Sequence, residues 1–343
     1  MQGVRNGRWW TMCRPARRAA ERPILVTTTA YFSHPDCLAH DMGPGHPECP
    51  ERLDAINDRL HASGLMDALA WCEPPLATTE QMALAHTHAH LENLLHHHTR
   101  LAAAAGQDRG ALSYLDPDTA MNPRTWDAVR RAAGAALAAT DAVIKGEAEN
   151  AFCAVRPPGH HACHDRAMGF CLVNNVALAA KYALEHHRLE RVAIVDFDVH
   201  HGNGTEDIVA GDPRILMVGF YQHPFYPHGG SNSGAANVLN LPVAAYTKGQ
   251  AIRALIEAQW LPRLDAFAPQ MLFVSAGFDA HREDDLGQLG LVEDDYRWIT
   301  QQIKAVAQRH ARGRIVSCLE GGYNLSALGR SVEVHVRELA GLS

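Results

Sequence analysis

Short runs rich in valine, isoleucine and phenylalanine alternate with helical patterns along most of this chain, and that alternation limits the fold more than any other feature. Strand-like runs are expected at 24–30, 151–155, 191–198, 214–221, 270–276 and 314–319, with helices at 50–63, 123–145, 173–188, 246–265, 293–311 and about 324–338. Strands apolar on both sides and joined by helices form a mostly parallel sheet covered on both faces, so a three-layer α/β/α fold is expected. In the 123–145 segment Asn122 suits the N-cap, Pro123 the first helical position and Gly146 the stop. No linker rich in serine or proline and no internal repeat divides the sequence, so residues 23–343 are expected to form a single domain.

The first 22 residues differ: six arginines, one acid and no apolar core of the signal-peptide kind. A disordered basic arm, or a misassigned start, is the expectation. No later stretch reaches the roughly 20 apolar residues of a membrane span. A net charge of −7 without a long basic stripe argues against nonspecific nucleic-acid binding. Eight cysteines without a CxxC pair read as reduced thiols, and the expected location is the cytoplasm. Glycine-rich segments lack the strand–GxGxxG–helix or phosphate-loop context of a nucleotide site.

The polar residues fall at the ends of the strand-like runs. His160 and His161 follow the first of the central runs, and Asp196, Asp198 and His200 close the next. Asp279 follows the run at 270–276, and Tyr323 follows 314–319. Ligands of open parallel sheets bind beyond the carboxyl ends of strands. On a strand Asp196, Asp198 and His200 emerge on one side. Two carboxylates and an imidazole there suit a divalent cation, and the histidine pair can supply acid and base, so the pattern reads as metal-assisted hydrolysis.

Arg156–Ala162 (RPPGHHA), Met168–Cys171 (MGFC), Asp196–Gly204 (DFDVHHGNG), Ser275–Asp279 (SAGFD) and Glu320–Asn324 (EGGYN) together resemble the zinc-dependent histone deacetylase superfamily. His46–Arg52 (HPECPER) resembles its N-terminal signature, and the wording is nearest to class II and bacterial deacetylase-like proteins. The resemblance spans roughly 24–335 and implies the arginase/deacetylase type of α/β/α fold and hydrolysis of an acylated amine. It implies Asp198, His200 and Asp279 as ligands of one Zn²⁺, three protein ligands leaving a position for water and substrate. It further implies His161 as general base, His160 as electrostatic stabiliser and proton donor to the leaving amine, and Tyr323 as hydrogen-bond donor to the oxyanion.

By the same carry-over Asp196 supports His160, and Asn203 supports His161 where other branches place aspartate; a neutral amide should let His161 titrate lower. Gly169, Phe170 and Tyr226 match the walls of an acyl-lysine channel, Tyr226 replacing a common phenylalanine beside Phe225. Asp118 matches a loop aspartate that binds substrate backbone. Leu286 stands where acetylpolyamine-selective relatives carry glutamate, which favours a monoamine such as acyl-lysine. Relatives also hold K⁺ near Asp196–His200, but Gly219 replaces a serine that contributes to that ion. Self-association is common among relatives of the bacterial type.

The bland alternatives differ in weight. His96–His98 and His186-His187 read as solvated helix faces, His86, His88 and His90 as loop or helix-start residues, and His281 as a rim or structural residue. Cys171 has no base assigned to it and reads as channel lining. The expected activity is removal of acyl groups from N-ε-acyl-lysine or a similar amine. Its rivals are an acetylpolyamine or other small amide or ester hydrolase, a two-manganese ureohydrolase of the arginase fold, and a module that binds acyl-lysine without cleaving it. Asp/Asp/His ligation also tolerates Fe(II) or Co(II).

Overall fold

A computed structural model of the chain describes residues 29–104, 110–228 and 233–342. The expected basic arm, and residues 24–28 of the first expected strand, lie outside the described residues. The strands are β1 (Thr29–Phe32), β2 (Ala70–Cys72), β3 (Ser113–Tyr114), β4 (Ala120–Met121), β5 (Asn150–Cys153), β6 (Val192–Asp196), β7 (Ile215–Gln222), β8 (Val238–Val243), β9 (Leu272–Ala276) and β10 (Ile315–Leu319). Eight of them form one parallel sheet in the order β2-β1-β5-β10-β9-β6-β7-β8, and β3 and β4 pair as a separate antiparallel hairpin.

The helices Thr125–Lys145 and Asn175–Glu185 pack together on one face of the sheet. Glu51–Ala62, Glu293–His310 and Leu325–Leu339 pack together on the other, where His335 bridges Ser317 of β10 (2.9 Å) and Thr300 (2.7 Å). The fold is therefore three-layered α/β/α, with β5, β6, β7, β9 and β10 buried along their whole length. Near-continuous apolar strands are what a sheet covered on both faces requires.

Several local features depart from expectation. Two sheet strands were not foreseen. Ala70–Cys72 is too short for a pattern, and Val238–Val243 carries Asn240 and Pro242, the latter tolerated because β8 is an edge strand. The helix expected at 246–265 is interrupted by a π turn at Ile256–Trp260 just before Pro262, whose missing N–H cannot continue the ladder. The helix expected from 123 begins at Thr125; Asn122 Oδ1 accepts from the Arg124 N–H (2.9 Å), so the cap acts two residues early. Gly146, at φ 74°, ends it as expected.

The histidine run 96–98 lies inside a helix, His88–Ala104, rather than at an end, and is not a fully solvated face. His97 Nδ1 bonds Ser113 Oγ (2.7 Å), and His98 lies 6.4 Å from the Trp126 ring. The stripe Leu91, Leu94 and Leu101 is what buries this helix. His86 and His90 are buried and hold the segment before the helix Asn175–Glu185. His86 bonds Cys163 O and the Asn174 N–H (both 2.9 Å), and His90 Nε2 bonds Leu172 O (2.8 Å). His281 is fully buried, and its Nδ1 accepts from the Glu283 N–H (3.1 Å), a structural role.

A candidate metal and hydrolase site at the strand ends

β5, β10, β9 and β6 are consecutive neighbours at the centre of the sheet. Their carboxyl ends deliver His160 and His161, Glu320 and Tyr323, Asp279, and Asp198 and His200 to one place. Strand β6 stops at Asp196, earlier than expected, because Asp196 Oδ1 takes the Asp198 N–H (3.1 Å) and Asp198 Oδ1 takes the His200 N–H (2.8 Å). These side-chain-to-backbone turns draw the chain out of the ladder. One donor atom from each of Asp198, His200 and Asp279 lies within 4.8 Å of the others. His200 Nδ1 is 3.1 Å from both Asp198 Oδ1 and Asp279 Oδ2.

Both carboxylates are fully buried, and each is fixed by backbone: Gly321 N donates to Asp198 Oδ2 (2.9 Å) and Val199 N to Asp279 Oδ1 (2.8 Å). Close approach explains the flanking glycines. A Cβ at Gly277 would stand 1.9 Å from Asp198 Oδ2, and one at Gly321 1.9 Å from Asp279 Oδ2. Burial opposes charge on the trio, yet Asp279 and Asp198 draw a proton onto His200 and raise its pKa to about 10. Burial, with Asp198 beside it, pushes Asp279 up to about 7. Two buried carboxylates around one ring nitrogen need positive charge between them, so the donor set fits a divalent cation.

The tandem histidines stand against this trio, with ring centroids 4.1 Å apart and His161 5.8 Å from His200. Asp196 Oδ2 lies 3.1 Å from His160 Nδ1, and Asn203 Oδ1 lies 2.7 Å from His161 Nδ1. The Asn203 amide nitrogen faces Cys163 Sγ and Met168 Sδ, which orients its oxygen toward His161; Nδ1 of His161 then carries the proton and Nε2 is left as the basic nitrogen. Electrostatics separates the two rings. Burial opposes charge on His160, but Asp198 and Asp196 outweigh it and hold its pKa well above the ordinary value. Burial, His160 and His200 together hold His161 well below it. Adjacent groups driven apart in this way can divide acid and base roles.

The walls above are aromatic. Tyr226 stands edge-on to His161 (5.1 Å), Phe225 stacks on His200 (5.4 Å), and Phe170 lies between His46 (4.7 Å) and Tyr323 (5.9 Å). Gly169 and Phe170 both have left-handed backbone, at φ 57° and 67°, and a Cβ on Gly169 would meet His161 Cδ2 at 2.5 Å. The Phe170 N–H donates to Thr119 Oγ1 (3.0 Å), beside Asp118 on the loop between β3 and β4. Asp118 is partly buried there, its carbonyl 3.3 Å from His46 Nε2. Leu286 is half-buried in the loop beyond Asp279. Cys171 is fully buried, and burial raises its thiol well above the ordinary range, which disfavours the thiolate. Gly219 of β7 pairs with Asp196; a Cβ on it would stand 2.9 Å from Asn240 Oδ1.

Sequence reasoning missed the buried charges beneath the site. Glu320 Oε2 accepts the N–H groups of Gly159 (2.6 Å) and His160 (3.0 Å), clamping the histidine turn; burial lifts its pKa to about 7. Glu48 pairs with Arg156 (2.5 Å) and Arg52 (3.0 Å), and Arg52 donates to Gly322 O (2.6 Å), so the HPECPER segment fastens both the histidine loop and the Tyr323 loop. Glu48, Arg52 and Glu320 lie inside segments already singled out, and the signal was a charged residue amid otherwise apolar or glycine-rich surroundings.

Comparison with known proteins places these features in context. The histone deacetylase domain family matches residues 46–339. A histone deacetylase-like amidohydrolase of Pseudomonas aeruginosa is 34% identical over 93% of this chain and 87% of that protein. The mouse polyamine deacetylase HDAC10 is 36% identical over 91% of this chain and 48% of that protein. Among solved structures, the HDA15 HD domain superposes with a TM-score of 0.84 at 32% identity, covering 92% of this chain and 90% of that one. Both the fold and the matched span make this chain a member of the histone deacetylase domain family, a group of deacetylases and amidohydrolases.

Proposed function

We propose that this protein is a metal-dependent amidohydrolase that removes acetyl or other acyl groups from N-ε-acyl-lysine or a similar monoamine. The observation that carries the reading is the convergence of Asp198, His200 and Asp279 within 4.8 Å of one another beside two imidazoles of opposite proton affinity. Those three residues would hold the cation, Zn²⁺ by family resemblance. When bound, such an ion polarises a carbonyl and makes water a better nucleophile at neutral pH.

The chain's own groups do the rest. His161, kept neutral with Nε2 free, takes the proton of the attacking water. His160, kept protonated by Asp198 and Asp196, steadies the developing negative charge and gives a proton to the departing amine. Tyr323 donates a hydrogen bond to the oxyanion. Burial and Asp279 keep its phenol well above the ordinary range, so it is a donor at any working pH. Gly169, Phe170 and Tyr226 exclude water from the acyl-lysine stem, and Asp118 accepts from the substrate backbone at the mouth. Leu286 offers no charge to a second ammonium, which supports a monoamine over a polyamine. A structural K⁺ fits less well: Gly219 has no hydroxyl and Asn240 Oδ1 fills the adjacent space, so no step is assigned to it.

Acetate release from an acetyl-lysine peptide and from acetylated putrescine and spermidine tests this reading. Metal-defined protein should hydrolyse the peptide fastest, lose activity to a chelator and regain it with Zn²⁺. Faster turnover of the polyamines favours the polyamine alternative. A fully metallated protein that binds the peptide but releases no acetate points to a binding module, and inertness toward every acylated amine overturns the proposal.

A further inference from the structure

Asp284 lies in the loop beyond Asp279 with 6% of its surface exposed, and three backbone N–H groups converge on its carboxylate. Oδ2 accepts from Tyr323 (2.6 Å) and Asn324 (3.0 Å), and Oδ1 accepts from Leu286 (3.0 Å). One side chain thus joins the segment bearing Tyr323 to the segment bearing Leu286. The Tyr323 segment is held from its other side by Arg52, whose guanidinium donates to Gly322 O (2.6 Å) and Glu320 O and lies 5.0 Å from the Tyr323 ring centroid. An anion holds the N–H groups of this segment while a cation holds its carbonyls. The segment needs such support, because Gly321 and Gly322 precede Tyr323 and Gly322 sits at φ 121°.

Helix capping does not account for Asp284. The helix Leu325–Leu339 already has its N-cap in Asn324, whose side chain accepts from the Ala327 N–H (3.0 Å). Nor is a carboxylate at this depth cheap: desolvation raises its pKa, and the three N–H donors, with Arg52, counter only part of that cost. We infer that Asp284 is a positioning residue that sets Tyr323 relative to the reacting carbonyl and anchors Leu286 at the channel mouth to the same point. The inference rests on the proposed role of Tyr323.

Asp284→Asn is the test, because an amide has only one acceptor oxygen. Whichever way it rotates, either the Tyr323/Asn324 pair or Leu286 loses its partner. On the acetyl-lysine peptide kcat should fall roughly 10- to 100-fold with KM changed far less, the penalty expected of a misplaced catalytic group. In a Tyr323→Phe background the same substitution should change kcat by less than about twofold, because the hydroxyl it positions is gone. Equal losses in both backgrounds, or no loss in the wild-type one, overturn the inference. Amide exchange on the unmodified protein supplies a second arm that needs neither a folded variant nor turnover. Tyr323 and Asn324 should exchange slowly, and exchange at the rate of an open loop rejects the anchor. Inert wild-type protein with slow exchange instead sinks the proposed activity while the anchor stands.

Discussion

The floor of the site and its mouth are built differently. On the floor, Asp198 and Asp279 are fully buried and His160 and His161 are 2% and 4% exposed, each on the segment that follows a central strand. Backbone N–H groups fix the two carboxylates, Asp196 holds His160 and the Asn203 amide oxygen holds His161. At the mouth, Asp118, Tyr226 and Leu286 are half-buried and sit on loops. Under the proposed function this contrast implies a division of labour, in which the floor would determine the chemistry and the mouth would select what reaches it.

Disrupting the floor should have the largest effect. Asp279→Asn weakens the donor set and should abolish chelator-sensitive acetate release, with metal content per chain falling in parallel by elemental analysis. Retained metal and retained turnover would break the distinction. Tyr323→Phe keeps the ring and removes the donor, so kcat should fall by about 10²- to 10³-fold with metal content unchanged. Asn203→Asp touches the floor more gently. A carboxylate 2.7 Å from Nδ1 favours the imidazolium and raises the His161 pKa, so the neutral base is lost at higher pH than in the wild type. The acid limb of kcat/KM should therefore move upward by roughly 1–3 units; an unmoved limb argues against His161 as the base.

The mouth should respond in selectivity rather than rate. Leu286→Glu introduces a partly exposed carboxylate worth at most about 1 kcal/mol to a second ammonium group. The ratio of kcat/KM for acetylspermidine over acetyl-lysine peptide should rise several-fold, with turnover of the peptide nearly unchanged. A large loss of peptide turnover would place Leu286 on the floor and sharpen the boundary between the two regions.

Much of the floor is legible in the sequence because polar residues at the ends of apolar strands stand out by contrast. Asp198, His200, Asp279 and the tandem histidines belong to short motifs whose local pattern survives folding. Strands β2 and β8 were not readable, one for its length and the other because an edge strand tolerates proline and asparagine. The histidine-rich helix His88–Ala104 was obscured by residues of modest helix propensity, although its leucine spacing marked a buried stripe. At the mouth, Tyr226 and Leu286 stood out only against relatives, since neither is an unusual residue for a loop.

The amino-acid order alone determined which chemistry is available, because it put carboxylates, imidazoles and a phenol immediately after strands that must be buried. Which of them meet depends on the order of the strands in the assembled sheet. Placing β5, β10, β9 and β6 side by side brings the Glu320 carboxylate onto the backbone of Gly159 and His160, and Asp284 onto that of Tyr323. Those partners are 161, 160 and 39 residues apart in sequence. Local side-chain periodicity encodes burial and element type but not strand order, so such contacts exist only once the sheet has assembled.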